Sequence, residues 1–278
     1  MRGWMLAAVV ATAAFQRSTA LDVRTTARVL QPGELVVLTI GTAVPIDRIH
    51  VRAFDREVPV FRTNAETVEA LIGIDLDAAV GNHTVSVQAG AESVTRVLRV
   101  QAHAFPTRKL SVDEAFVNPP ASVQPRIAAD AALLNQTWAH SAPERLWQGA
   151  FARPVPQASN SAFGTRSVYN GQPRSAHGGA DFLSPAGQPV AAPNAGKVAI
   201  ARDLYYTGNT VVIDHGLGLF SLFAHLSRID VHEGDAVAAG AVVGLVGATG
   251  RVTGPHLHWT VRIGNARVDP MAVLALLK

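Results

Sequence analysis

The segment Gly254-Pro255-His256-Leu257-His258-Trp259 alternates two histidines with apolar residues and therefore predicts a β-strand. Successive side chains on a strand point to opposite faces, so we expect His256 and His258 to lie on the same face. Two imidazoles on one face, directly after a Gly-Pro turn, indicate either a metal site or a pair of acid/base groups.

Further candidates lie upstream, in His177-Gly178-Gly179-Ala180-Asp181 and at His225. The two glycines argue against a helix, so the first segment is expected to be a loop that enters a strand. Catalytic zinc takes three protein ligands and leaves one position for water. His177, Asp181 and one member of the His-x-His pair would supply those ligands. The other member and His225 would then serve proton transfer and oxyanion stabilisation.

The N-terminus predicts export. Arg2 precedes an apolar run that begins at Trp4, and Ser18-Thr19-Ala20 offers a cleavage site between small residues. This pattern is typical of a signal peptide, here residues 1–20, and the run is too short to span a membrane. We therefore expect a protein of the periplasm or cell envelope, with no stable membrane insertion after cleavage.

Composition excludes several classes of protein. Cysteine is absent from the 278 residues, which excludes a disulfide framework, a thiolate nucleophile, a Cys-ligated zinc and a lipoprotein. The formal charge is only +3, and two of the arginines lie in the predicted leader. No basic patch interleaved with aromatic residues is present, so nucleic acid is not an expected partner.

The pattern of short apolar runs predicts a mainly β fold in two domains. Residues 21–105 contain about seven β-like runs bounded by turn residues, which is typical of an immunoglobulin-like β-sandwich. Residues 106–148 read as a linker, with a helix from Arg126 to Leu134 that either packs across both domains or covers the active-site groove. Residues 149–278 alternate strands with tight, glycine-rich turns and predict an antiparallel β domain.

A series of short motifs lies between Gly149 and Asp269. The motifs, in chain order, are Ser161-Ala162-Phe163-Gly164, His177-Gly178-Gly179-Ala180-Asp181, Pro189-Val190-Ala191-Ala192-Pro193, Val212-Ile213-Asp214-His215-Gly216, Ala224-His225-Leu226-Ser227, Gly234-Asp235-Ala236-Val237, Gly247-Ala248-Thr249-Gly250 and Thr253-Gly254-Pro255-His256-Leu257-His258. This series resembles the zinc metallopeptidases of the LytM/lysostaphin type, peptidase family M23. The N-terminal β-sandwich also resembles a region found on some periplasmic members.

The resemblance implies that His177, Asp181 and His258 bind Zn²⁺ and that His225 and His256 form the catalytic pair. We assign His256 as the base and His225 as the oxyanion stabiliser. The implied activity is hydrolysis of peptide bonds in bacterial peptidoglycan stems or cross-links by zinc-activated water, with the peptidoglycan peptide as substrate.

Five polar residues could contact substrate or could equally be ordinary loop residues. Tyr205, Tyr206 and Asn209 lie in the loop before a strand, whereas Asn170 and Arg174 approach His177 along the chain. Polar loop residues near a site are often functional, so we expect them to line the substrate groove.

Two alternatives come from other classes of protein. Some family members have lost metal ligands and act as activators of other wall hydrolases. The chain could therefore be a non-catalytic cell-wall-binding regulator or amidase activator with a regulatory protein partner, although all five site positions are intact. The segment Gly234 to Gly240 resembles a turn of lipoyl and biotinyl carrier domains. It lacks the modifiable lysine that such domains need, so we set that alternative aside.

Overall fold

The structure is a computed structural model that describes residues 21–111, 114–160 and 163–278. The predicted signal peptide and the first two residues of the Ser161–Gly164 motif lie outside the described residues. Antiparallel sheets dominate the described part of the chain, which confirms the prediction of a mainly β fold.

The N-terminal part is a sandwich of two four-stranded antiparallel sheets. Its strands are β1 Asp22–Thr26, β2 Leu35–Gly41, β3 Ile49–Ala53, β4 Arg56–Glu57, β5 Val60–Asn64, β6 Thr67–Gly73, β7 Gly81–Ala89 and β8 Glu92–Val100. One sheet has the order β1-β2-β6-β5 and the other the order β4-β3-β7-β8, which is the strand arrangement of immunoglobulin-like domains. Alternate residues such as Leu38 and Val87 point inward and are fully buried between the sheets. We expected about seven strands, and the short β4 that pairs with β3 makes eight.

The segment predicted as a linker contains a strand as well as helices. Its elements are β9 Thr107–Leu110, α1 Glu114–Val117 and α2 Gln124–Ala139. The helix α2 is longer at both ends than the predicted one and carries a proline in its first turn, where a missing N–H costs nothing. Near its end, Trp138 packs edge-on against Phe220 with 5.2 Å between the ring centres. No helix in the described residues is long and apolar enough to cross a membrane.

The C-terminal part is built on a nine-stranded antiparallel sheet. Its elements, together with those of a smaller sheet, are β10 Arg166–Tyr169, β11 Gln172–Pro173, β12 Ala180–Phe182, β13 Pro189–Ala191, β14 Gly196–Leu204, β15 Gly208–Gly216, β16 Leu219–Ile229, β17 Ala236–Val237, β18 Val242–Val246, β19 Leu257–Ile263, β20 Ala266–Val268 and α3 Pro270–Leu276. The main path through the large sheet is β12-β19-β16-β15-β14-β17. The smaller sheet has the order β11-β10-β9, with β9 parallel to β10, so the linker segment joins the C-terminal part directly.

The two parts of the chain share one apolar core. Four buried side chains of the sandwich belong to the same cluster as Trp147 and Ile263 of the C-terminal part: Leu35, Val37, Phe61 and Leu71. An ion pair of 2.6 Å between Arg267 and Asp75 also joins the two parts. Both contacts hold the sandwich against the side of the large sheet.

A buried histidine in β15 should make stability depend on pH. His215 is fully buried, and its Nδ1 atom donates to the carbonyl oxygen of Ala195 at 2.8 Å. Burial lowers the pKa of His215 from 6.5 to about 4. The unfolded chain therefore binds a proton between these pH values that the folded chain does not, so stability present above pH 6.5 should be lost as the pH falls. We expect a loss from this residue of about 3 kcal/mol of unfolding free energy at pH 4.

Urea titrations between pH 7 and pH 4 measure this dependence, with His215→Gln as the comparison. The substitution should reduce the fall in unfolding free energy over that interval, whatever it does to stability at pH 7. An identical pH dependence in the two proteins would contradict the assignment to His215.

Candidate metal centre and groove

The strand pair β12 and β19 places Asp181 beside His258. The two residues are direct cross-strand partners, and such side chains lie on the same face of a sheet. The Nδ1 atom of His258 lies 2.9 Å from Oδ1 of Asp181. His177, in the glycine-rich segment before β12, places its Nε2 atom 3.0 Å from the same oxygen. The three residues that the sequence singled out as ligands therefore meet at one point.

This close approach depends on Gly179. A Cβ atom at this position would lie 2.5 Å from the carbonyl oxygen of Trp259 and 2.9 Å from Cε1 of His258. Distances this short are not compatible with a side chain, so only glycine lets the segment before β12 run against β19. The second glycine between His177 and Asp181 thus has a steric reason.

The donor atoms of the three residues fit a zinc ion. One ligand atom from each of His177, Asp181 and His258 lies within 4.8 Å of the others, and two imidazoles with one carboxylate are a donor set that zinc prefers. The second ring nitrogen of His258, Nε2, lies 2.9 Å from the hydroxyl of Thr260, which orients the ring with Nδ1 toward the other ligands.

The protonation states also suit a metal. Burial would raise the pKa of Asp181, but hydrogen bonds from His177 and His258 outweigh it and lower that pKa, so the carboxylate is ionised. Burial lowers the pKa of His258, which favours the neutral ring that binds metals.

His256 and His225 lie next to the three candidate ligands. The Nε2 atom of His256 is 3.9 Å from Oδ1 of Asp181, and the ring centres of His225 and His256 are 4.9 Å apart. The Nδ1 atom of His256 lies 2.9 Å from the carbonyl oxygen of Gly254, and Nδ1 of His225 lies 3.0 Å from that of Thr249. Because a carbonyl oxygen can only accept, Nδ1 of each ring carries the hydrogen, and Nε2 of each neutral ring can accept a proton.

The backbone at His225 is unusual. Its φ angle is +66°, in the left-handed region that residues with a side chain rarely adopt, and such strain concentrates at functional sites. Burial lowers the pKa of His225 to about 3, and the neighbouring His258 acts in the same direction. The ring is therefore neutral near pH 7. Donation to an oxyanion, the role we assigned to His225, requires a second proton on Nε2.

A groove of about 620 Å³ opens over the candidate metal centre. One wall is formed by residues of β9 and β10. The other includes Tyr206 and Arg251, whose guanidinium lies 4.4 Å from the centre of the tyrosine ring. Helix α2 contributes no residue to the described lining of the groove. It packs instead on the large sheet, so the structure does not place it over the site.

Two of the five residues that we expected in the groove line it, namely Arg174 and Tyr206. The other three, Asn170, Tyr205 and Asn209, are not among its lining. The side-chain amide of Asn170 donates to Glu114 at 3.2 Å, and the backbone N–H groups of Tyr205 and Asn209 donate to Asp130 and to the hydroxyl of Thr249. Proximity along the chain did not reveal which of these loop residues face the groove. Substrate contact by any of the five stays a prediction.

Several groove residues were missed from the sequence. Arg108, Ser167 and Tyr169 line the wall formed by β9 and β10. Strand β9 pairs with a strand that follows about 59 positions later, and no local pattern predicts such a pairing. Thr260 contacts His258 and is not part of the described lining of the groove. It could have been found from the sequence, because it lies two residues after His258 on the same face of β19.

Comparison with known proteins agrees with this geometry. A model of peptidase family M23 matches residues 175–270. Peptidoglycan DD-endopeptidase ShyB of Vibrio cholerae is 44% identical over 95 residues, which cover 34% of this chain and 22% of ShyB. DD-carboxypeptidase/endopeptidase Mpg of Neisseria meningitidis is 43% identical over 97 residues, which cover 35% of this chain and 22% of Mpg. The match thus spans about a fifth of the length of these relatives.

A solved structure matches over a longer stretch. The crystal structure of a Pseudomonas aeruginosa protein described as an M23 peptidase is 31% identical, with a TM-score of 0.70. The match covers 88% of this chain and 95% of that one, so it includes the β-sandwich as well as the C-terminal part. On its ordered motifs, its fold and this near-complete match, the chain belongs to peptidase family M23.

Proposed function

We propose that this protein is an exported zinc metalloendopeptidase that hydrolyses peptide bonds in bacterial peptidoglycan stems or cross-links. The observation that carries the proposal is the convergence of His177 and His258 on one carboxylate oxygen of Asp181, beside two further imidazoles. The intact set of five residues disfavours a purely regulatory role, because a regulator needs neither metal ligands nor proton-transfer groups.

The five side chains can take different roles in hydrolysis, namely metal binding, proton transfer and oxyanion stabilisation. His177, Asp181 and His258 would hold the zinc ion, which when bound supplies a Lewis acid that polarises the scissile carbonyl and lowers the pKa of water. Nε2 of His256 can take the proton of the attacking water and later return it to the leaving amine. Donation from His225 to the carbonyl oxygen as it gains negative charge is the role that we assigned to this residue, and it requires a second proton on Nε2 that the neutral ring does not carry.

The relatives' names support peptidoglycan as the substrate and a D,D-peptide bond as the bond that is cut. The names are those of the V. cholerae and N. meningitidis proteins, which are a peptidoglycan DD-endopeptidase and a DD-carboxypeptidase/endopeptidase. The pattern around Arg2 and Ser18-Thr19-Ala20 supports export to the envelope, where this polymer lies.

Incubation of the purified protein with peptidoglycan tests the proposal. Mass spectrometry should detect released fragments whose new ends identify the cleaved bond. Chelation should stop the release, and added Zn²⁺ should restore it. Release that continues at the same rate after the metal has been removed would rule out the metallopeptidase function.

A further inference from the structure

The small sheet presents two arginines to the groove. Arg108 of β9 and Ser167 of β10 are register partners, and the backbone N–H of Arg174 donates to the carbonyl oxygen of Ser167 at 2.8 Å. Neighbouring positions across a sheet share a face, so Arg108, Ser167 and Arg174 form a row across the sheet. All three line the groove, and Nε of Arg108 donates to the hydroxyl of Ser167 at 3.0 Å.

Within the part of the chain that the structure describes, no carboxylate is paired with the charges of this row. Neither Arg108 nor Arg174 forms an ion pair with a carboxylate of the described residues. Among the described residues that line the groove, the single carboxylate is that of Asp181, which belongs to the metal centre. An anion that entered the groove would therefore meet positive charge on the wall as well as at the metal.

Hydrogen bonds hold the side chain of Arg174 in place, but its Nε donor has no partner among the described residues. One terminal nitrogen donates to the carbonyl oxygen of Val117 at 2.7 Å and to the side chain of Gln172 at 3.1 Å, both neutral acceptors. Its Nε atom is buried and has no hydrogen-bond partner in the structure. The half-buried guanidinium of Arg174 thus has no acidic partner among the described residues, and a carboxylate from outside the protein would supply a charged acceptor for it.

We propose that Arg108 and Arg174 form a subsite for a carboxylate of the substrate peptide. The inference rests on the proposed peptidase function and narrows its substrate class to peptides with a free carboxylate near the scissile bond. The planar guanidinium matches the two oxygens of a carboxylate better than any neutral group does. Both arginines lie outside residues 175–270, the part that matches the family model, so the subsite belongs to the surrounding chain.

Three synthetic peptides test the subsite. They share one sequence from the released fragments and have all carboxylates free, the side-chain carboxylate amidated, or the C-terminal carboxylate amidated. We expect kcat/KM to fall by about 10- to 100-fold for the peptide that lacks the recognised carboxylate, the range for hydrogen bonds to charged groups. The amidated peptide with the reduced kcat/KM identifies which of the two carboxylates binds.

Arg108→Gln should bring the ratio of kcat/KM between the free and the amidated peptide close to one. Arg174→Gln should do the same, but it also removes a contact to Val117, so Arg108→Gln is the decisive variant. The matched control is Arg166→Gln, which removes the same charge from the opposite face of β10 and should preserve the preference. Equal rates for all three peptides with the unmodified protein would overturn the subsite.

Binding measured after metal removal separates this subsite from the peptidase function. Titration calorimetry with the chelator-treated protein should show tighter binding of the free peptide, and Arg108→Gln should abolish the difference. If no peptide is cleaved and the binding preference persists, the peptidase function fails and the subsite stands. If peptides are cleaved but bind with equal affinity in acid and amide form, the subsite fails and the peptidase function stands.

Discussion

Replacing His258 with alanine should remove bound zinc and peptidase activity together. The Nδ1 atom of His258 lies 2.9 Å from Asp181, and His177, Asp181 and His258 each offer one donor atom within 4.8 Å of the others. Loss of an outer hydrogen bond to a metal ligand alone costs about 10- to 100-fold in metal affinity or activity, so loss of the ligand itself should exceed that range. We therefore expect less than stoichiometric zinc after dialysis and fragment release below detection.

Elemental analysis and fragment release measured on the same preparation check this outcome. His232→Ala is the matched control, because the side chain of His232 is 93% exposed and lies outside the groove lining. It should retain both zinc and activity. A His258→Ala protein that is folded, as judged by its unfolding transition, and still holds one zinc ion would show that His258 is not a ligand.

Replacing His256 with alanine should abolish activity and leave zinc bound. Its Nε2 atom lies 3.9 Å from the carboxylate oxygen that the two ligand histidines approach within 3.0 Å. In the function that we propose, His256 exchanges a proton beside the metal and does not bind it. Removal of a general base reduces the rate by roughly 10²- to 10⁴-fold, and we expect kcat to fall by that factor.

His225→Ala should behave in the same way if it stabilises the oxyanion. The two variants should differ in the response to pH, because only the variant that keeps His256 retains a base in the groove. If His256→Ala loses zinc together with activity, His256 is a metal ligand. The role of general base would then belong to another histidine.

Local sequence predicted a large part of this protein. The alternation of His256 and His258 requires nothing beyond the geometry of one strand, and the structure places both rings beside Asp181. The two glycines after His177 excluded a helix, and in the structure a side chain at Gly179 would collide with β19. The apolar runs of the first hundred residues predicted a sandwich, because each run and its flanking turns are themselves local features.

Other features depend on contacts between distant segments. The groove wall forms because β9 pairs with β10, and this pairing alone brings Arg108 to Ser167. Proximity in the chain suggested Asn170, Tyr205 and Asn209 as groove residues. The described lining of the groove does not include them, and their contact with substrate stays a prediction. The left-handed backbone at His225 likewise has no signature in the residues around it.

The sequence by itself determined which residue types could bind a metal and move protons, and which of them share a strand face, because side-chain chemistry and strand periodicity are local properties. Only the tertiary structure decided that Asp181 faces His258 across a strand pair and that two arginines of a small sheet line the same groove. The physical reason is that strand register and sheet order are set by the burial of side chains from the whole chain, which no short segment encodes.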